Sequence, residues 1–212
     1  MRFEGYRRLD RDLLFRPFFE PQWIDGGVYP GSPNALWENS QRGDARGFQV
    51  FLQRRSANSF TGGVAYAYGR ATLRDGIAGS GMFSADFDQQ HTAQFFASYR
   101  LRPTVNVSGR WVYGSGMPVR GYFELRGGDT YLSARRNLLR MPSYQRTDLR
   151  LNKVWVRDRW TFTLFGEVIN LFNRDNARFD ELGGFDVATG RARLRFDRTF
   201  PILPSAGVVL EF

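Results

Sequence analysis

The sequence predicts an all-β protein that folds as an antiparallel, up-and-down meander of about seven or eight long strands. The first observation is that apolar and polar residues alternate with a period of two from about Gly47 onward. The second is that the links between the alternating stretches are short and long in strict alternation. The third is length, since most stretches have about twelve residues, whereas strands of soluble proteins average about 5 to 6.

Seven strands are predicted in order along the chain. In the stretch after residue 59, for example, Val64 and Tyr66 lie on one face, and Gly63 and Ala65 lie on the other. The predicted strands are 44–55, 59–70, 90–101, 104–115, 143–156, 159–172 and 203–212.

The first part of the chain is less regular. Residues 6–15 are predicted to be one more strand, and 16–43, rich in Pro, Gly and Trp, are predicted to be a long loop. We therefore divide the chain into 1–43, a strand remnant followed by a long extracellular loop, and 44–212, the strands of a β-barrel.

The links favour a membrane barrel over a soluble sandwich. Short links are predicted at 56–58, 102–103 and 157–158, and long links at 71–89, 116–142 and 173–202. Loops of more than about 12 to 15 residues are uncommon in compact soluble domains. Tight turns at one end and long loops at the other are typical of outer-membrane barrels, whose strands need about 9 to 11 residues to cross.

This layout predicts that one face of the sheet is apolar and faces lipid. The residues expected on this face are Phe60, Val64, Tyr66, Phe95, Ala97, Val105, Val107, Leu149, Leu151, Phe162, Leu164 and Val208. Aromatic residues near the strand ends are expected either as membrane-interface residues or as ordinary β-formers. They are Tyr99, Trp111, Tyr113, Tyr144, Trp155 and Trp160.

Composition and charge exclude several classes of protein. The chain has 212 residues and a formal charge of +9, and its basic residues are scattered rather than clustered. The lack of cysteine excludes disulfides and cysteine-ligated metal sites, and a single histidine leaves little for a metal or catalytic centre. No run of about 18 apolar residues is present for a membrane-spanning helix, and the first thirty residues lack the apolar segment of a signal peptide.

Six segments along the chain form a series that carries family information. They are GDARGFQVFLQRR (43–55), FDQQHTAQFFASYRL (87–101), WVYGSGMP (111–118), YQRTDLRLNKVW (144–155), FGEVINLFNRDN (165–176) and PSAGVVLEF (204–212). Taken in this order, they resemble the C-terminal barrel portion of TonB-dependent outer-membrane receptors.

The resemblance implies active uptake of a scarce ligand such as a siderophore, vitamin or carbohydrate, without enzymatic activity or a cofactor. The chain departs from the family in lacking the signal sequence, the TonB-contacting segment, the plug domain and most of the strands. It therefore resembles a partial transmembrane β-barrel, a fragment that is inactive alone and belongs to a longer parent exported to the outer membrane. The implied partners are outer-membrane lipid, the barrel assembly machinery, the TonB system, the plug domain and an extracellular small ligand.

The resemblance also implies roles for three sets of residues. The residues expected to line the lumen and meet the plug, or else to form a solvated barrel wall, are Arg100, Arg110, Arg146, Asp148, Arg150 and Glu167. The loop residues expected to contact ligand are Arg126, Asp129, Tyr131, Arg135 and Arg136. The residues expected to form a C-terminal membrane-insertion signal are Ala206, Val208, Leu210 and Phe212.

Two apparent chemical sites are interpreted structurally. Asp86 and Asp88 have one parity and His91 has the other, so on an extended strand they would not converge on a metal ion. Ser115 lacks the G-x-S-x-G context of a nucleophile and is predicted to lie in a turn.

Two alternatives remain open at the level of the sequence. The chain could form a self-contained barrel of eight strands, either a lipid-modifying enzyme or an adhesin, whose interior is filled by side chains. A soluble nucleic-acid-binding β protein would use the arginines and aromatic residues. It explains neither the loop asymmetry nor the terminal Phe212, so no nucleic acid is expected as a partner.

Overall fold

The computed structural model describes residues 1–55, 59–76 and 81–212, and in this part of the chain every regular element is a β-strand. The strands are β1 (Arg2–Phe15), β2 (Gln22–Ile24), β3 (Gly27–Tyr29), β4 (Glu38–Arg54), β5 (Phe60–Arg74), β6 (Phe83–Ser84), β7 (His91–Arg102), β8 (Val105–Gly114), β9 (Phe123–Arg126), β10 (Asp129–Leu132), β11 (Tyr144–Arg157), β12 (Trp160–Ile169), β13 (Ala177–Phe185), β14 (Ala192–Arg198) and β15 (Leu203–Glu211).

Eight long strands form one antiparallel meander in the order β1-β4-β5-β7-β8-β11-β12-β15, which confirms the predicted fold class. The long strand β1 was expected only as residues 6–15, and β4 begins at Glu38 instead of 44 because it continues to pair with β1 as far as Phe15. β12 ends at Ile169 instead of 172, since Asn170 adopts a positive φ of 54° that leaves the strand conformation. The predicted short link 56–58 lies outside the described residues.

The pairing register places the predicted apolar residues on one face, which we call the apolar face. Residues directly opposite in an antiparallel pair project to the same side of the sheet. Val64 pairs with Phe95 and Phe95 with Trp111, and in the next rows Leu149 pairs with Gly109 and Leu151 with Val107. All twelve residues predicted for the lipid-facing side share this face.

The opposite side of the sheet is the polar face, and Tyr144 belongs to it. Tyr144 pairs with Gly114 and has the same parity as Arg146 and Asp148, so the expectation of an interface aromatic is wrong for this residue. The five other aromatic residues of that set lie on the apolar face.

In the part of the chain that the structure describes, neither face of the long sheet covers a hydrophobic core. The accessible surface is 14303 Å², against about 10,000 Å² for a compact monomer of this mass. In the described part of the chain, the buried apolar residues lie at the loop end of the sheet, and they are Phe15, Phe83, Ala85, Val119, Tyr122, Phe123, Leu132 and Ala192.

Three hairpins occupy the segments predicted to be long loops: β2–β3, β9–β10 and β13–β14. The turn of β9–β10 is Gly127-Gly128, both with positive φ, which suits a tight hairpin turn. The hairpins pack together around Val119, Phe123, Leu132 and Ala192, with Trp23 from β2 against them. We call this cluster the loop core.

The sheet is open. β1 and β15, both fully described, lie at the two ends of the strand order and do not pair with each other. This arrangement does not support the alternative of a self-contained eight-stranded barrel. No helix in the described residues is long and apolar enough to cross a membrane.

Close packing on the polar face fixes the start of the meander. Tyr6 on β1 lies across Gly47 on β4 and Gly69 on β5, which are paired with each other. A Cβ atom on Gly47 would lie 2.3 Å from the Tyr68 carbonyl oxygen and 2.8 Å from the Tyr6 hydroxyl. Glycine is therefore required at position 47 for the strands to approach this closely.

We predict that Gly47→Ala lowers the free energy of unfolding by about 1 to 3 kcal/mol, because the added methyl group overpacks the contact. Gly166→Ala on β12 is the matched control, since nothing lies within 4 Å of a Cβ there, and it should be neutral or raise the free energy by about 0.4 to 1 kcal/mol. Urea unfolding of the refolded chain measures both. Equal changes at the two positions would contradict the packing argument.

Candidate functional site

A cavity of about 700 Å³ lies between the polar face and the loop end of the sheet, and we call it the inner cavity. The strands contribute Thr92, Gln94, Val112 and Tyr144. The loops and the β13–β14 hairpin close it from above with Gln89, Met117, Pro118, Arg120, Met141, Ala177, Arg178, Phe179 and Asp180.

The lining of the inner cavity suits a small polar ligand with some apolar surface. Arg120 and Arg178 supply positive charge, Asp86 and Asp180 supply negative charge, and Tyr144 supplies a hydroxyl on an aromatic ring. Its volume lies within the range of about 300 to 1,000 Å³ that is typical of small-molecule sites.

An ion cluster centred on the buried Arg136 fixes the loops next to the inner cavity. The Arg136 guanidinium donates to both carboxylate oxygens of Asp86 at 3.2 Å and to Glu20 Oε1 at 3.3 Å. The rings of Phe15 and Tyr122 lie 5.9 and 5.8 Å from its central carbon. The cluster thus joins the end of β1, the loop after it, the segment before β7 and the loop after β10.

Burial and charge set the ionisation of this cluster. Burial raises the pKa of Glu20 above its ordinary value, although the guanidinium of Arg136 opposes the rise. Burial alone would lower the pKa of Arg136, but the carboxylates of Glu20 and Asp86 outweigh that effect and raise it. Burial also raises the pKa of Tyr122 to about 12. The Arg136 guanidinium therefore stays positively charged in this cluster.

A second buried pair holds the neighbouring loop. Asp88 is almost fully buried, accepts a hydrogen bond from the backbone N–H of Ala71 at 2.7 Å and pairs with Arg140. Arg140 also donates to the Gly116 carbonyl at 3.0 Å and to Ser84 Oγ at 3.1 Å. This pair attaches one wall of the inner cavity to β5.

Three of the five predicted ligand-contact residues stabilise hairpins instead of lining the inner cavity. Arg126 forms an ion pair with Glu124, and its guanidinium lies 5.4 Å from the Tyr131 ring. Asp129 pairs with Arg191 at 2.6 Å, which joins β9–β10 to the end of β13–β14. Their place in a long loop implied ligand contact but could not show these partners, and contact with a ligand stays a prediction.

Arg135 and Arg136 are adjacent in sequence but differ in environment. Arg136 is the buried centre of the ion cluster, whereas Arg135 is exposed. Both line another cavity, on the side of the apolar face.

The six residues expected at the lumen all lie on the polar face. Arg146 pairs with Asp148 at 3.0 Å, and Arg150 pairs with Glu167 at 3.4 Å on the neighbouring strand. Arg110 lies opposite Asp148, and Arg100 has the same parity on β7. Their expected contact with a plug domain stays a prediction.

Three residues of the expected insertion signal, Ala206, Val208 and Leu210, lie on the apolar face of β15, and Phe212 follows the last residue of that strand, Glu211. Ala206 pairs with Gly166, Val208 with Leu164 and Leu210 with Phe162. Their role in membrane insertion stays a prediction.

Separate partners bind the side chains of Asp86, Asp88 and His91. The two carboxylates bind Arg136 and Arg140, and His91 Nδ1 lies 2.8 Å from the Tyr66 hydroxyl. The Ser115 hydroxyl accepts a hydrogen bond from the His91 backbone N–H at 2.9 Å, at the point where the chain leaves β8.

Sequence reasoning missed the residues that form the inner cavity. Gln94 and Tyr144 could have been found by extending the parity of Arg100 and Arg146 along the same strands. Strand parity could not identify Arg120, Arg178 or Asp180, because their positions depend on how the loops and hairpins fold.

Comparison with known proteins supports the fold alone. No protein-family model matches the chain, and no curated protein matches it in sequence. Among solved structures, it is similar to the ferric-catecholate import receptor Fiu from K12 E. coli in its closed form, with a TM-score of 0.52 and 15% identity. The match covers 99% of this chain and 25% of that receptor, so the chain spans about a quarter of its length.

We predict that Arg136→Met loosens the loop end by about 1 to 3 kcal/mol, because it removes the cation that pairs with the partly buried Glu20 and the half-exposed Asp86. Arg135→Met removes the same charge from the exposed neighbouring residue and should change the stability little. Limited proteolysis within 16–37, which Glu20 holds in place, measures the effect. Equal cleavage rates in the two variants would show that the cluster does not hold the loops.

Proposed function

We propose that the chain forms part of the wall and loop end of an outer-membrane receptor of the TonB-dependent type. The observation that carries the proposal is an eight-stranded sheet with an uncovered apolar face, whose polar face meets a structured cavity at one end. The role we propose is non-enzymatic, and in it this cavity binds a ligand.

The apolar face needs an apolar environment. Phe95 is 46% exposed, Leu151 49% and Val208 61%, although all three lie within the eight-stranded meander. Soluble monomers rarely expose continuous apolar patches larger than a few hundred Å². Lipid covers such a face without requiring shape complementarity, and it agrees with the lengths of the eight meander strands, which have 9 to 17 residues.

The open edges of the sheet support a larger barrel. Each backbone polar group without a partner in lipid costs several kcal/mol, so membrane sheets close into barrels. β1 and β15 therefore need further strands beside them. A receptor-sized barrel supplies these strands, as the match to a quarter of a solved receptor supports.

The inner cavity is the proposed ligand site of this receptor portion. Its paired charges, the Tyr144 hydroxyl and the Phe179 ring fit a scarce small ligand such as a siderophore, vitamin or carbohydrate. In this proposal the polar-face arginines and carboxylates contact a plug domain, through which the TonB system acts. Lipid and the barrel assembly machinery are the further partners of this proposal.

The topology can be tested in whole cells, because the chain has no native cysteine to interfere with labelling. Thr189→Cys lies at the tip of β13–β14, and Asp158→Cys lies in the tight turn between β11 and β12, both exposed. A membrane-impermeant maleimide should label position 189 on intact cells and position 158 only after lysis. Labelling of both positions on intact cells, or of neither, would overturn the proposal.

We predict that Leu164→Arg costs about 2 to 4 kcal/mol of stability in lipid, because it places a charge in the middle of the apolar face. Thr163→Arg is the matched control, since it is the adjacent residue of β12 and faces the polar side. Urea unfolding of the protein refolded into vesicles measures both. Equal tolerance at the two positions would count against lipid contact.

A further inference from the structure

A second cavity, of about 540 Å³, lies beside the apolar face where β4 and β5 reach the loop end. Five arginines line it, two from the sheet and three from the loop after β10, and we call it the arginine cavity. The arginines are Arg46, Arg70, Arg135, Arg136 and Arg140.

Among the described residues, carboxylates neutralise two of these five arginines. Arg136 binds Glu20 and Asp86, and Arg140 binds Asp88. Across the described residues, no carboxylate lies within 4.0 Å of the side-chain nitrogens of Arg46, Arg70 or Arg135. The one carboxylate in the lining, Asp44, pairs with Arg7 at 2.8 Å.

The pairing register places like charges directly opposite each other at this cavity. Arg7 pairs with Arg46, and Arg46 pairs with Arg70, so three arginines on adjacent strands form one row on the same face. Like charges directly opposite each other destabilise a sheet. An anion between Arg46 and Arg70 would offset this repulsion.

The arginine row lies at the boundary of the apolar face. The next row toward the centre of the sheet is aromatic: Phe48 pairs with Tyr68, and Tyr68 with His91. Beyond the arginines come Asp44, Thr72 and Ser84, which are polar. If lipid covers the apolar face, the guanidinium groups lie at the depth of the lipid headgroups.

We propose that the arginine cavity binds the phosphate group of a membrane lipid. Guanidinium groups recognise phosphate oxygens through paired hydrogen bonds, and Arg46, Arg70 and Arg135 are free to supply them. The anion site rests on the geometry of the cavity, and the assignment to lipid, as opposed to free phosphate, rests on the proposed function.

Calorimetric titration of the refolded chain in neutral detergent tests the site. The probes are inorganic phosphate, dihexanoyl phosphatidic acid, and dihexanoylglycerol, which has the same acyl chains without the phosphate. Phosphatidic acid should bind most tightly, and the double variant R46Q/R70Q should bind it at least tenfold more weakly. The double variant R157Q/R159Q, at the opposite end of the sheet, removes the same charge and should bind as the unchanged chain does.

R135Q provides a second test on an exposed loop residue, where a change does not disturb strand pairing, and it should also weaken binding. Unchanged affinity in both R46Q/R70Q and R135Q, or equal binding of dihexanoylglycerol, would overturn the site. Equal affinity for inorganic phosphate and phosphatidic acid would overturn the assignment to lipid. The proposed function fails separately, through the cysteine-labelling result, because binding in detergent does not depend on topology in the cell.

Discussion

Uninterrupted strand register is the constraint on which the rest of this structure depends. From β4 to β15 the pairings keep one parity, and the shift between Arg100 and Arg102 falls at the end of β7. A slip of one residue anywhere would move apolar side chains to the polar face. Since neither face covers a core, backbone hydrogen bonds and side-chain contacts within each face must hold the register.

The loop end is stabilised differently from the sheet. Its hairpins enclose the loop core, and the charges of Arg136 and Arg140 are compensated by carboxylates from segments distant in sequence. Breaking a buried ion pair costs more than forming it gains, because one charge is left unpaired. Such pairs therefore define one arrangement of the loops, which the apolar contacts alone would specify less sharply.

Much of the sheet could be predicted from sequence, and little of the candidate site could. Alternation of period two depends only on local residue order, so the face of Leu149 or Arg150 follows directly. The register shift that begins after Asp10, and the β13–β14 hairpin, depend on partners distant in sequence. The same is true of Arg136, whose carboxylate partners lie 116 and 50 residues away. Its position in the predicted link 116–142 marked it as a loop arginine, but only the fold shows that it is buried.

The two cavities lie on opposite sides of the sheet and share one supporting element. Arg136 lines the arginine cavity, and its partner Asp86 lines the inner cavity. Both sites therefore require the loop after β10 to be docked, whereas Arg46 contributes to one site and Tyr144 to the other. A change at Arg136 therefore affects both cavities, because it releases the loop that both of them need. A change at Arg46 or Tyr144 affects only the cavity that this residue lines.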